Sequence, residues 1–97
     1  MPFNVKVHHR KGMRNRSKLD TISLILQAAN GDDITKTQIM YKTFVSHTQL
    51  KEFLTDLTES GLLRYDFVRH TFKTTEKGLS FLETYSQMDQ MIKVPQI

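Results

Sequence analysis

Apolar residues recur along this chain with two different periods. Leu19, Ile22, Leu26 and Ala29 fall at three- and four-residue intervals, with Ile25 widening the stripe, which predicts an amphipathic helix. Ser17 precedes it as an N-cap, Asp20 stands in its first turn, and Asn30-Gly31 supplies the stop. A shorter helix is predicted from about Lys36 to Lys42, burying Ile39 and Met40, and a third from about His47 to Ser60. Leu50, Phe53, Leu54 and Leu57 form the buried stripe of the third, and Gly61 is placed to end it. Thr35 with Gln38 and Ser46 with Gln49 each have the spacing of a capping box, so two helix starts follow one another closely. Phe44 and Val45 lie between these helices, and apolar residues there predict a turn packed against the core.

From Leu62 the period changes to two. Leu63, Tyr65 and Phe67 alternate with Arg64, Asp66 and Val68, a half-buried strand, and Phe72 with Thr74 makes a second strand. Arg69-His70-Thr71 is the expected hairpin tip, and Ile34 is a candidate rung of a minor strand. A last helix is predicted from Thr75-Glu76 to about Lys93, before Pro95. The close-set second and third helices have the spacing of a helix-turn-helix, which carries a helix N-terminus into the DNA major groove. Three helices followed by a hairpin is the order of a winged helix. The expected fold class is therefore α+β and mostly helical: a winged helix-turn-helix over 17–75, with a long C-terminal dimerisation helix over 76–93. That helix, ~27 Å long for ~18 residues, keeps a three-four rhythm through Leu82, Tyr85, Met88 and Ile92, past the point where the domain body is covered. Pairing with a second copy through those four residues would bury them.

Charge adds a third region. Residues 1–18 hold Lys6, Arg10, Lys11, Arg14, Arg16 and Lys18 and no acid, a charge of +6, while the rest of the chain carries −2. Residues 1–16 are thus expected to form a basic, partly disordered arm, with Arg10, Lys11, Arg14 and Arg16 as candidate phosphate contacts. No apolar run approaches a membrane span or a signal peptide, so a soluble, cytoplasmic, nucleoid-associated protein is expected.

Candidate chemistry follows from the outward positions. On the third helix, Ser46, His47, Thr48, Gln49, Lys51 and Thr55 suit base edges and phosphate, whereas Glu52, Asp56 and Glu59 repel DNA towards its C-terminal end. Lys36 and Thr37 at the start of the second helix, and Tyr41 and Lys42 at its end, are placed to hold phosphate. Arg69 and His70 at the hairpin tip and Lys73 on the returning strand could reach a minor groove or phosphate. With no cysteine, and with His8, His9, His47 and His70 lacking partners at ligand spacing, no metal site is expected. Ser17 and Ser46 are explained by capping and no phosphate cradle is present, so no cofactor, no small-molecule substrate and no catalysis are expected.

Ser17-Lys18-Leu19-Asp20, Thr37 to Met40 with Tyr41-Lys42, Ser46 with Gln49-Leu50, Gly61-Leu62-Leu63 and Thr74-Thr75-Glu76-Lys77-Gly78 stand in an order that resembles the archaeal winged-helix proteins of the ten-a type. The resemblance covers about residues 16–92. It implies an antiparallel coiled-coil homodimer presenting two winged helices to double-stranded DNA, in transcription regulation or chromosome organisation. The chain departs from that pattern in a shorter C-terminal helix, with a tyrosine and two methionines where a leucine seam would stand. The rival expectation is a winged helix used as a protein-docking module in a larger assembly, which the near-neutral body and the acidic end of the third helix favour. A third is single-stranded nucleic-acid binding by the arm and exposed aromatics.

Overall fold

Helix α1 (Lys18–Ala28) begins at a reciprocal capping box. The Asp20 amide donates to Ser17 Oγ at 3.0 Å and the Ser17 amide to Asp20 Oδ2 at 3.4 Å. It ends as Gly31 takes a φ of +97°, which costs a glycine nothing. A computed structural model describes residues 17–93 of the chain, with side chains through Met91. The elements following α1 are β1 (Ile34–Thr35), α2 (Lys36–Thr43), α3 (His47–Glu59), β2 (Leu63–Asp66), β3 (Thr71–Thr74) and α4 (Glu76–Lys93). The predicted basic arm, with Arg10, Lys11, Arg14 and Arg16, lies outside the described residues.

The three strands form one antiparallel sheet in the order β1-β3-β2. Ile34 supplies the expected minor rung, opposite Phe72. The sheet is tied to α1 through Thr74, whose amide donates to Ala29 O at 3.0 Å and whose buried hydroxyl donates to Leu26 O at 2.7 Å. Those bonds satisfy carbonyls that the helix end would otherwise leave orphaned. Ile25, Leu26, Ala29, Ile34, Ile39, Val45, Leu50, Leu54, Leu57 and Leu63 make the core.

Four expectations change on the structure. Leu19 is exposed rather than part of the α1 stripe. Leu19 lies in the first turn, while Ile22, Ile25, Leu26 and Ala29 keep the predicted stripe on the core and Thr21 and Ser23 are buried beside it. Thr21 and Ser23 are buried because each finds a local partner: Thr21 Oγ1 donates to Ser17 O, and Gln27 Nε2 donates to Ser23 Oγ. The Ser46 cap is one-sided, since Ser46 Oγ accepts from the Gln49 amide at 3.2 Å but the Gln49 side chain makes no return bond. In the α2–α3 turn only Val45 packs inward, while Phe44 points to solvent with a left-handed backbone of φ 60°. Phe67 leaves the strand, because β2 ends at Asp66 and Phe67–His70 form the turn.

The start of α4 is clamped to the α3–β2 junction. Gly61, with φ +82°, ends α3, and the Leu62 amide reaches back to Leu57 O at 2.9 Å in a Schellman arrangement. Thr75 then caps α4, accepting from the Gly78 amide at 3.1 Å while donating to Gly61 O at 2.6 Å. Lys77 Nζ adds a bond to Ser60 O at 2.8 Å. The first half of α4 belongs to the domain body: Phe81 and Leu82 pack against the core, and the Tyr85 hydroxyl donates to Asp20 of α1. That bond, followed by burial, pushes the Tyr85 hydroxyl up to about 12. Met88 and Met91, further along, are exposed.

Candidate nucleic-acid interface

The capped start of α3 follows the end of α2 after a turn of three residues, Phe44–Ser46. Lys36 Nζ bridges the two starts by donating to His47 Nε2 at 3.0 Å. Thr48, Gln49 and Lys51 project to solvent from the first turns of α3, and Thr55 follows with its hydroxyl turned back onto Lys51 O at 3.0 Å. The side chains of Lys42 and Lys51 have no hydrogen-bonding or ion-pair partner among the described residues, so their charge is available to an anion.

Between α3 and the hairpin runs an open groove of about 540 Å³. Lys36, Lys51, Thr55, Thr58 and Glu59 line one side, and Tyr65, His70 and Phe72 the other. Four of the residues singled out in the sequence, Lys36, Lys51, Thr55 and His70, therefore surround one feature. Tyr65 and Phe72 pair across the strands with ring centres 4.8 Å apart, and Tyr65 Oη lies 2.7 Å from His70 Nδ1. On the outer flank of α3, Glu52 and Asp56 join Thr48, Lys51 and Thr55 around a second depression, so the helix's positive character is confined to its first turns.

The hairpin tip is braced on three sides. Asp66 Oδ1 accepts from the amides of Val68 at 2.8 Å and Arg69 at 3.1 Å, and these bonds, Arg69's foremost, hold the Asp66 carboxyl below its usual pKa. The His70 amide donates to Asp66 O at 2.7 Å, and His70 itself takes φ 57°, a conformation histidine tolerates better than most residues. Arg69 reaches Asp33 of the α1–β1 loop at 2.9 Å, an exposed pair that restrains the tip more than it stabilises the fold.

A family model for the winged helix-turn-helix matches residues 15–93. The chain belongs to that family. No curated protein matches it. In this winged helix, α3 stands in the recognition position and the β2–β3 hairpin is the wing.

Several site residues escaped the sequence. Arg64 sits directly opposite Lys73 in the wing register, an alignment of like charges that costs energy in an isolated sheet and that an anion between them would relieve. Placing the tip at Arg69-His70-Thr71 hid this pair. The signal that would have placed it correctly was Asp66, since aspartate favours the position that opens a turn by accepting from amides two and three residues on. Tyr65 and Phe72, expected only as strand residues, are half-buried and line the groove. Thr37, Tyr41 and Lys42 on α2 do not line the groove, and neither do Arg69 and Lys73 on the wing. The side chain of Ile92 lies outside the described residues.

Proposed function

We propose that this winged helix binds double-stranded DNA as a homodimer of the archaeal ten-a-like kind, in transcription regulation or chromosome organisation. The observation that carries the reading is the first two turns of α3. There Ser46, Thr48, Gln49 and Lys51 stand exposed on a one-sided cap, with Lys36 at the neighbouring helix start. The unreturned Gln49 side chain is free to address a base edge, and Lys51 a phosphate or guanine. The α2 N-terminus and the wing cations Arg64 and Lys73 supply backbone contacts that set register without reading sequence. Arg10, Lys11, Arg14 and Arg16 add phosphate contacts from the arm. The paired site on the partner protomer doubles the interface through α4.

The acidic flank of Glu52 and Asp56 supports a second reading, in which this face docks another protein. Gel shifts separate the two, using duplex DNA, single-stranded DNA and RNA at two salt concentrations. Duplex binding that weakens steeply with salt is expected. The Gln49→Ala/Lys51→Ala double variant should keep the wild-type circular dichroism and lose duplex affinity by about tenfold or more. No duplex binding at low salt would defeat the reading, and full binding by the double variant would remove α3 as the reader.

A further inference from the structure

The wing ends in two apolar side chains held out in water. Phe67 is 80% exposed and Val68 88% exposed, the most exposed large apolar residues among those described. A solvent-facing turn has no need of either, since polar residues fill such positions without hydrophobic cost. The backbone beneath them is nevertheless tightly fixed. The Asp66 carboxylate holds the Val68 and Arg69 amides, Arg69 is anchored to Asp33, and the Phe67 ring stands edge-on to Tyr65 at 5.3 Å. The ordering of this tip is thus complete before any partner arrives, which lowers the entropy cost of inserting it.

We propose that Phe67 and Val68 form a wedge that enters the minor groove of bound duplex DNA, partly unstacks one base step and bends the duplex. The inference rests on the DNA-binding reading above and deepens it. Apolar wedges that kink DNA are built from residues of this kind, presented at the end of a rigid element. The surroundings favour DNA over an apolar protein pocket or a lipid surface. The next residue is Arg69, whose side chain remains 67% exposed despite its ion pair, and the wing strands behind carry the Arg64–Lys73 pair. The one carboxylate within the turn, Asp66, is directed onto backbone amides rather than towards the tip. A narrow minor groove attracts arginine, and a flanking phosphate would relieve the paired charges of Arg64 and Lys73. With α3 in the major groove, the wing beside it reaches the adjoining minor groove, so both elements act on one face of the duplex.

Bending is read by energy transfer between dyes at the two ends of a duplex containing a flexible TA step, with the full-length protein. The wild type should bend the duplex by roughly 20–90°. Phe67→Ser/Val68→Ser should leave it nearly straight while binding less than about tenfold weaker, because unstacking offsets most of what the wedge contributes. Phe67→Leu, still apolar, should retain the bend. Val68→Ser alone, which disturbs no contact in the fold, should reduce it. Equal bending by wild type and double variant would overturn the wedge, as would a wild type that binds duplex without bending it. Both of those results leave the DNA-binding reading intact, whereas absence of all duplex binding would overturn the two together.

Discussion

At the residue scale, the clearest departure from a relaxed backbone is Phe44. A left-handed conformation costs an L-residue with a bulky side chain roughly 1–2 kcal/mol, and glycine adopts it freely. Phe44 holds φ 60° and ψ 27° as the C-cap of α2, with its amide donating to Met40 O at 2.9 Å, and its ring is 74% exposed. Little packing is therefore lost when the ring is removed, while the strain is relieved. Phe44→Gly is expected to stabilise the domain by about 1 kcal/mol, after allowing for glycine's greater freedom when unfolded. That corresponds to a rise in Tm of about 4–8 °C for a domain of this size, readable by calorimetry. A lower Tm would mean that the exposed ring contributes contacts in solution that outweigh the backbone strain. Thr43 beside it shows the opposite economy: its hydroxyl is buried because it donates to Ile39 O at 2.8 Å.

At the scale of elements, the junction of α3, β2 and α4 is set by Gly78. A Cβ there would fall well inside van der Waals contact with the Leu62 carbonyl oxygen and 2.6 Å from Thr74 Cγ2. The obstacle on one side is backbone, so the helix start itself would have to move. That movement would strain the Thr75 cap, its bond to Gly61 O and the Lys77 bond to Ser60 O. Gly78→Ala is expected to destabilise by about 2–3 kcal/mol despite alanine's better helix propensity. Chemical denaturation would measure it, and a stabilised variant would mean that α4 begins elsewhere. Local helix pattern gives no reason for this glycine, because the backbone it would strike is a residue sixteen positions earlier. The helices, by contrast, were legible. Ser17, Thr35, Ser46 and Gly61 act within one turn of their own positions, and the structure puts each where local spacing placed it. Features that depended on a neighbour were not. Leu19 is exposed in the first turn of α1 although it shares a face with buried Leu26, and Phe67 lost its place because Asp66 opened the turn early. The same holds for the site: the α3 residues came from local pattern, whereas Arg64, Tyr65 and Phe72 needed the wing register.

At the scale of the whole molecule, α4 decides the shape. The radius of gyration is 15.1 Å and the extents are 53 × 26 × 19 Å. A compact chain of this length would have a radius of gyration near ~12 Å. The helix outruns the body, carrying Met88 at 49% and Met91 at 74% exposure beyond Tyr85, whose hydroxyl bonds to Asp20 of α1. Two long, adaptable side chains on a projecting helix suit an interface that must form against another apolar surface. Leu82 and Tyr85 are poor places to test that idea, since Leu82 packs on the protein's own core and Tyr85 bonds to Asp20. A charge at either would disturb the fold together with any dimer. Met88→Glu/Met91→Glu avoids the difficulty. Sedimentation equilibrium of the wild type is expected to show a species of twice the 11.4 kDa chain mass, and the variant the single chain with unchanged helical circular dichroism. The variant should also bind duplex DNA more weakly, because one wing and one α3 must hold alone what two tethered copies held together. A wild type sedimenting at 11.4 kDa would overturn the dimer and make one α3, one wing and the basic arm the complete binding surface.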